Sequence, residues 1–197
     1  MTTSTVSIPT LPSAKILPVT DTSVADPAPL GLAAFALTTF VLSCVNAGFI
    51  GKGGDFVVLG PALAYGGLAQ FGAGMWEFRR NSVFGATAFT SYGAFWMSFA
   101  LLVTFYVGKL PAETVPAAIG TFLLAWGIFS VYMTFGAAKV SRPLLVTFVL
   151  VDVTFFLLAG GAYASMPALS HMGGYFGIAT AIAAWYASAR GLLGQMR

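Results

Sequence analysis

The sequence predicts an all-α integral membrane protein with six transmembrane helices. Of its 197 residues, 58% are hydrophobic and only 8% are charged, and the mean hydropathy is +0.87. An ordinary soluble domain carries about 25% charged residues. Six apolar segments are each long enough to cross a bilayer, because about 20 residues span its hydrocarbon core. Together these observations exclude a soluble enzyme or binding domain.

The chain divides into three predicted parts. Residues 1–25 contain Ser, Thr and Pro with one lysine and no sustained apolar run, so we expect a disordered cytoplasmic tail and not a secretory signal. Residues 26–190 form the transmembrane domain, and residues 191–197 form a short cytoplasmic C-terminal tail. We expect the six spans at 30–50, 56–75, 84–108, 114–137, 142–164 and 171–190.

The first span begins with the run Asp-Pro-Ala-Pro. Asp26 is expected to be its N-cap, because a carboxylate can accept from the amide donors of the first turn. An aromatic ring, two hydroxyls and an amide then fall at roughly helical spacing, so they share one side of the helix. A helix that contacted only lipid would not be expected to have these polar side chains on one side. Its residues are Phe35, Thr38, Thr39, Leu42 and Asn46.

Residues 66–96 hold the densest polar pattern of the membrane domain. Gln70 and Glu77 lie on one face of the second span, separated by two helical turns. The third span offers Ser91 with Tyr92 alongside. In the sixth span, Gly173 and Gly177 have the GxxxG spacing that is typical of closely packed helices.

Basic residues predict the orientation of the chain. Seven of them fall on the side of the termini and two on the other side, which favours cytoplasmic ends in the cell membrane. The seven are Lys15, Arg79, Arg80, Lys139, Arg142, Arg190 and Arg197, and the two are Lys52 and Lys109.

Two acidic residues are candidates for proton coupling. Asp152 lies near the middle of the fifth span, where a charge costs about 2.5–3.5 kcal/mol. It should therefore face protein or water, either as a coupling group or as a structural hydrogen-bond partner. Glu77 lies beside two arginines, where it could attract substrate or join an interfacial ion cluster.

No metal, cofactor, nucleotide or nucleic-acid site is predicted. The chain has no Cys/His cluster and no glycine-rich phosphate loop. An enzyme would need a nucleophile with a base in reach, and His171 is the only histidine, at the predicted start of the last helix. We therefore expect the protein not to be an enzyme.

Four stretches carry a family resemblance. DPAPLGL at 26–32, followed by Phe35, resembles the signature Asn-Pro-Ala-Pro-Leu-Gly-Leu that opens the first helix of the acetate uptake transporter family, the succinate–acetate permeases and their fungal relatives. Asp26 stands where that family has Asn. GGLAQ at 66–70 and FGATAFTSYG at 84–93 resemble its second and third helices, and GGYFG at 173–177 resembles its last.

The resemblance implies a hydrophobic constriction in the membrane domain. Phe35 and Tyr92 match two of its residues, and Val151 falls where the family has a leucine. Because valine is smaller than leucine, we expect a different width and substrate range. Side-chain hydroxyls and an amide can donate the hydrogen bonds that a carboxylate loses when it leaves water. Hydroxyls in membrane helices also form hydrogen bonds to the backbone of their own helix. The expected substrate-path residues are Thr38, Thr39, Gln70 and Ser91.

The resemblance also implies the function. It predicts proton-linked transport of acetate and related short carboxylates, with succinate among them, by a channel or a symporter. It further predicts a homohexamer in the lipid membrane, with a central pore in each subunit. The alternative is a channel for ammonium or another small solute.

Overall fold

The computed structural model describes residues 24–51, 53–54 and 56–195. Over these ranges the chain forms six long helices and no strand. The predicted N-terminal tail lies almost entirely outside the described residues, as do Lys15, Lys52 and Arg197. The helices are α1 (Ala28–Asn46), α2 (Phe56–Arg79), α3 (Val83–Lys109), α4 (Val115–Val140), α5 (Arg142–Tyr163) and α6 (Pro167–Gln195).

Five of the six described helices, α1 to α5, are long and apolar enough to cross a membrane. Helix α6 is the longest at 29 residues, but glycines, hydroxyl residues and a histidine dilute its apolar content. It begins at Pro167 and not at residue 171, because a proline suits the first position of a helix, where its missing N–H has no partner to lose. It also continues to Gln195, so residues 191–195 of the predicted tail are helical.

Helix α1 starts one residue later than the Asp26 N-cap predicts. Pro27 takes the N-cap position, and Asp26 lies just before it. The Asp26 carboxylate still accepts a hydrogen bond from the Ala28 N–H at 3.0 Å, so it satisfies one of the donors at the start of the helix.

Helix α2 is irregular in its middle. Pro61 lies within the helix, and the next turn, Ala64–Ala69, widens to π geometry. At Gly66 the backbone contacts α1 so closely that an added Cβ would lie 2.5 Å from the Thr38 hydroxyl. Such wide turns change the angular register of a helix, and Gln70 is the first residue after this one.

The six described helices close into a ring. Helix α1 packs against α2 and α6, α5 packs against α6 and α4, and α2 packs against α3. The contact between α3 and α4 completes the ring and is much sparser than the others. Aromatic and small apolar side chains fill the middle, with members on all six described helices, so the core lies on the axis of the ring.

Small residues bring α1 and α6 into backbone contact. An added Cβ at Gly174 would lie 2.2 Å from the backbone nitrogen of Ala47, and one at Gly177 would lie 2.1 Å from the Ser43 hydroxyl. Gly173, the other residue of the GxxxG pair, packs on Leu158 of α5 instead. Gly174 and Gly177 therefore allow the close approach of α6 to α1, whereas Gly173 contacts α5.

Candidate functional site

Three buried side chains from three helices meet in the middle of the ring. Phe35 of α1, Tyr92 of α3 and Val151 of α5 all line one small cavity. The rings of Phe35 and Tyr92 meet edge to face, with centroids 5.7 Å apart. The structure thus brings together the three residues that the resemblance placed in a constriction. Phe148 of α5 adds a further edge-on contact to Tyr92 at 5.9 Å.

Two small cavities share Phe35 and Val151 as a common wall. The first, here called the Gln70 cavity, has a volume of about 20 Å³, close to the minimum for one water molecule. The second, here called the Thr39 cavity, has a volume of about 50 Å³. The Gln70 cavity is lined by Leu32, Phe35, Gln70, Ala88, Phe89, Tyr92, Thr147, Phe148 and Val151.

Wider cavities continue the series toward both ends of the ring. Beyond the Thr39 cavity lie spaces of about 300 and 470 Å³ that share Asn46 with each other, and the outer one reaches His171. At the opposite end, a space of about 510 Å³ shares Leu32 with the Gln70 cavity and is lined by Arg142 and Arg190. The five cavities therefore form a chain of neighbours along the axis of the ring.

One stripe of α1 lines all five cavities in turn. Along the helix, every third or fourth side chain lines one or more of the cavities, and the series extends over about 27 Å. This is the side of α1 that the sequence singled out, with one exception, Thr38. The stripe consists of Ala28, Leu32, Phe35, Thr39, Leu42 and Asn46.

Each of the two inner cavities contains a buried polar atom that lacks a hydrogen-bond partner among the described residues. Gln70 is 1% exposed, and its Oε1 is one of these atoms. The Thr39 cavity is lined by two residues with such an atom, the hydroxyl of Thr39 and the Nε1 of Trp96. Leaving such a group unpaired is costly, and nearly all buried polar groups in proteins are paired. These three atoms are therefore places where a small polar molecule would gain a hydrogen bond inside the ring.

Thr38 and Ser91 are placed differently from the prediction. The Thr38 hydroxyl donates to the Ala34 carbonyl at 3.0 Å and lies 3.5 Å from the Pro61 carbonyl of α2. It is fully buried at the α1–α2 contact because its position is about 100° around the helix from Thr39. Ser91 is half-buried, and neither residue lines any of the five cavities.

The two acidic candidates also lie outside the five cavities. Asp152 follows Val151 on α5 and accepts a hydrogen bond from Thr134 of α4 at 2.7 Å. Glu77 is 2% exposed and lies at the end of α2, where its carboxyl group packs over Gly85 in the first turn of α3.

Several residues of the Thr39 cavity were not singled out from the sequence. Thr154 of α5 and Thr180 of α6 both line it, and their hydroxyls are 3.3 Å apart. Thr147, Val151 and Thr154 of α5 are separated by four and three residues, so they lie on one face of the helix. That spacing is a signal that could have marked Thr147 and Thr154 once Val151 was chosen.

A family model described as the GPR1/FUN34/yaaH family matches residues 9–196. The chain belongs to this family. The resemblance inferred from the DPAPLGL and FGATAFTSYG stretches is thereby confirmed. The match covers all six described helices, so the family assignment applies to the whole ring.

Relatives in the GPR1/FUN34/yaaH family include named transport proteins. The chain is 42% identical over 183 residues to Acetate permease A of Emericella nidulans, covering 85% of this chain and 61% of the relative. It is 39% identical over 168 residues to the Succinate-acetate/proton symporter SatP of Escherichia coli, covering 84% and 87%. It is 39% identical over 173 residues to Ammonia transport outward protein 2 of Saccharomyces cerevisiae, covering 85% and 61%.

The chain spans about three fifths of the length of the two fungal relatives, at 61% of each. A solved structure, described as that of the bacterial acetate channel SatP, has the same fold with a TM-score of 0.82 at 35% identity. The match covers 88% of this chain and 95% of that chain. The all-helical fold is therefore shared with a solved family member over nearly the whole of both chains.

Proposed function

We propose that the chain carries acetate and related short carboxylates, succinate among them, across a membrane in a proton-linked manner. The observation that supports the proposal is that Phe35, Tyr92 and Val151 line one small cavity, and that Phe35 and Val151 are shared with a second. Each of these cavities is lined by a residue with an unpaired buried polar atom. Relatives of the chain are named as an acetate permease and a succinate-acetate/proton symporter. The chemistry of the site and the names of the relatives point to the same class of solute.

The constriction would act as a barrier to water and ions. A narrow apolar ring disfavours a continuous water column, so a hydrated ion meets a high barrier there. A carboxylate that takes up a proton becomes a neutral acid, and a neutral acid loses far less solvation free energy on entering an apolar passage. This difference supports a proton-linked mechanism, because the proton makes the solute able to cross.

Gln70 and Thr39 would receive the solute on the two sides of the constriction. An amide and a hydroxyl can both donate and accept, so they can bond the acid form or the anion. Neither carries a formal charge that would hold an anion tightly and slow its release. The nearby pair Thr154 and Thr180 extends the polar wall of the Thr39 cavity.

We further propose that the six described helices all span the membrane and that the ring encloses the pore. Among the described basic residues, five lie at the end of the ring where α1 begins, and Lys109 lies at the other end. That bias supports a cytoplasmic location for both termini in the cell membrane. The five are Arg79, Arg80, Lys139, Arg142 and Arg190.

A homohexamer belongs to the same proposal. Helix α4 is the least buried of the candidate spans, and large apolar side chains such as Ile128, Tyr132 and Phe135 are exposed along it. Such surfaces suit contact with lipid or with a second copy of the chain. Cross-linking and mass measurement of the protein in native membranes would give the number of subunits.

Labelled acetate uptake into liposomes tests the function directly. The purified protein is reconstituted with a pH dye inside the vesicles, and an inward proton gradient is imposed. We expect saturable uptake that rises with the gradient and is competed by succinate. Uptake that ignores the gradient would indicate a passive channel, and uptake equal to that of protein-free liposomes would refute the proposal.

Ammonium is the second candidate solute, because one relative is named as an ammonia transport protein. The two solutes change the internal pH in opposite directions: entry of acetic acid acidifies the vesicle, and entry of ammonia alkalinises it. The same dye therefore distinguishes them in one preparation. A protein-dependent alkalinisation with ammonium and no acidification with acetate would favour the second candidate.

A further inference from the structure

We propose that Ser130, supported by Thr134 and Asp152, positions the Tyr92 ring in the constriction and so helps to determine which carboxylates pass. The proposal rests on the transport function proposed above. Its structural basis is a set of hydrogen bonds that links α3, α4 and α5 behind the constriction. None of the three supporting residues lines any of the five cavities, so they would act through Tyr92 and without touching the solute.

The first link joins Tyr92 to Ser130. The Tyr92 hydroxyl donates to the Ser130 Oγ at 2.9 Å, and the two residues are 3% and 0% exposed. Because both groups are removed from solvent, no bulk water can take the place of a lost partner. The bond also links α3 to α4, whose backbones approach each other at few places and which otherwise meet through aromatic side chains such as Phe95 and Trp126.

The second link joins the same stripe of α4 to α5. Thr134 lies one turn beyond Ser130, and its hydroxyl lies 3.1 Å from the Ser130 carbonyl and 2.7 Å from the Asp152 Oδ2. The shorter contact is to the carboxyl group, so Asp152 is the main acceptor of the Thr134 hydroxyl. Asp152 directly follows Val151, so this bond holds the part of α5 that supplies a second wall of the constriction.

Aromatic contacts alone leave the Tyr92 ring free to shift. Tyr92 meets Phe35, Phe129 and Phe148 edge to face, at centroid distances of 5.7, 5.5 and 5.9 Å. Such contacts tolerate small displacements of the ring, because each one is weak and broad in its geometry. The hydroxyl bond to Ser130 adds a directional restraint, since hydrogen bonds weaken steeply with misalignment.

Substitution of Ser130 tests the proposal, with the ratio of succinate to acetate uptake in liposomes as the readout. Ser130→Ala removes the acceptor, and Tyr92→Phe removes the donor but retains the ring. We expect each to raise the ratio about fivefold, the factor that corresponds to the net loss of one hydrogen bond. The double variant should show no larger change, because both substitutions remove the same bond. Ser130→Thr retains a hydroxyl and should restore the ratio of the unmodified protein.

A matched control comes from the same helix. Thr121 of α4 and Tyr163 of α5 also form a hydroxyl pair, at 2.8 Å, but it is exposed and lies away from the constriction. Thr121→Ala should therefore leave the ratio unchanged. Thr134→Val, which removes the link to Asp152, should raise the ratio in the same direction as Ser130→Ala.

Each outcome decides for or against the positioning role. An unchanged ratio in folded Ser130→Ala, or in Tyr92→Phe if the alanine variant does not fold, would overturn it. Equal shifts in the Thr121→Ala control would also overturn it, because they would show a general loosening of α4. Failure of the unmodified protein to take up either carboxylate is a different result, which refutes the proposed function itself.

Discussion

Asp26 forms an ion pair with Arg80, which joins the segment just before α1 to the turn between α2 and α3. The same carboxylate oxygen accepts the N–H of Ala28 at 3.0 Å. The Asp26 side chain therefore accepts a hydrogen bond at the start of α1 and also links this helix start to the turn between α2 and α3. Asp26 is also the one residue of the DPAPLGL stretch that departs from the family signature, so this chain can form a salt bridge that an asparagine could not.

The two roles of Asp26 can be separated by substitution. Asp26→Asn keeps an oxygen for the Ala28 N–H and loses the charge, and we expect a loss below about 1 kcal/mol because the pair is partly exposed. Asp26→Ala also loses the bond to the helix start, which adds about 1 kcal/mol. Thermal unfolding in detergent at low and high salt would measure both effects. Equal midpoints for the two variants would show that the Ala28 bond contributes nothing.

Adjacent threonines on α1 should respond differently to removal of their hydroxyls. Thr39→Val removes a group that lines a cavity, so we expect acetate uptake to fall about fivefold. The unfolding temperature should be equal or higher, because the buried hydroxyl has no partner to lose. Thr38→Val removes a buried bond at the α1–α2 contact, so we expect a loss of about 1–3 kcal/mol in stability with uptake per folded molecule unchanged. Uptake kinetics and thermal unfolding on both variants would check this contrast. The reverse pattern would exclude Thr39 from the substrate path.

The width of the constriction should control the size of the solute. Tyr92→Ala removes a ring from the wall and should admit larger carboxylates, whereas Val151→Leu fills space and should favour acetate over succinate. Competition of labelled acetate uptake by a series of longer carboxylates would rank the variants. A folded Tyr92→Ala protein with the selectivity of the unmodified chain would contradict a gating role for Tyr92.

The contact between α1 and α6 should tolerate no added side chain at Gly174. Gly174→Ala would force a Cβ against the Ala47 backbone, and we expect a loss of about 1–3 kcal/mol from overpacking. Gly194 is the matched control, because it lies in the same helix and an added Cβ there meets nothing within 4 Å. Gly194→Ala should be neutral or stabilising by up to about 1 kcal/mol, as alanine is the better helix former. Thermal unfolding of the two variants side by side would measure the difference.

Asp152 provides a test of where protons are coupled. Since Asp152 lies outside the five cavities, we expect Asp152→Asn to retain the stimulation of acetate uptake by a proton gradient. Glu77→Gln should do the same, because Glu77 packs at the start of α3 and also lies outside the cavities. A flattened pH dependence in either folded variant would assign proton coupling to that residue. Uptake measured at several external pH values would provide the profile.

The helices and their order could be predicted from composition and span length, because long apolar runs admit few structures in a bilayer. The family motifs then placed Phe35, Tyr92 and Val151, which the structure brings together on one cavity. Spacing alone could not separate Thr38 from Thr39, since neighbours on a helix differ by about 100° and the facing helix is unknown. The close contact between Gly66 of α2 and Thr38 decides which of the two threonines faces the helix contact and which faces the cavities.

The bonds behind the constriction could not be predicted at all. Ser130 and Thr134 are ordinary hydroxyl residues in an apolar helix, and such residues most often bond to their own backbone. Their partners lie on two other helices, at separations of 38 and 18 residues along the chain. Helix α6 begins at Pro167, four residues before the predicted start at 171, because the apolar run marks a span but not the first turn of its helix.

The small volume of the two inner cavities has a consequence for the energy supply of a cell. Volumes of about 20 and 50 Å³ leave room for very few water molecules on either side of Phe35 and Val151. Protons travel fastest along unbroken files of water, and an apolar ring with so little water beside it interrupts such a file. A cell could therefore keep many copies of this protein in its membrane without dissipating its electrical potential, and protons would enter only when a carboxylate carries them.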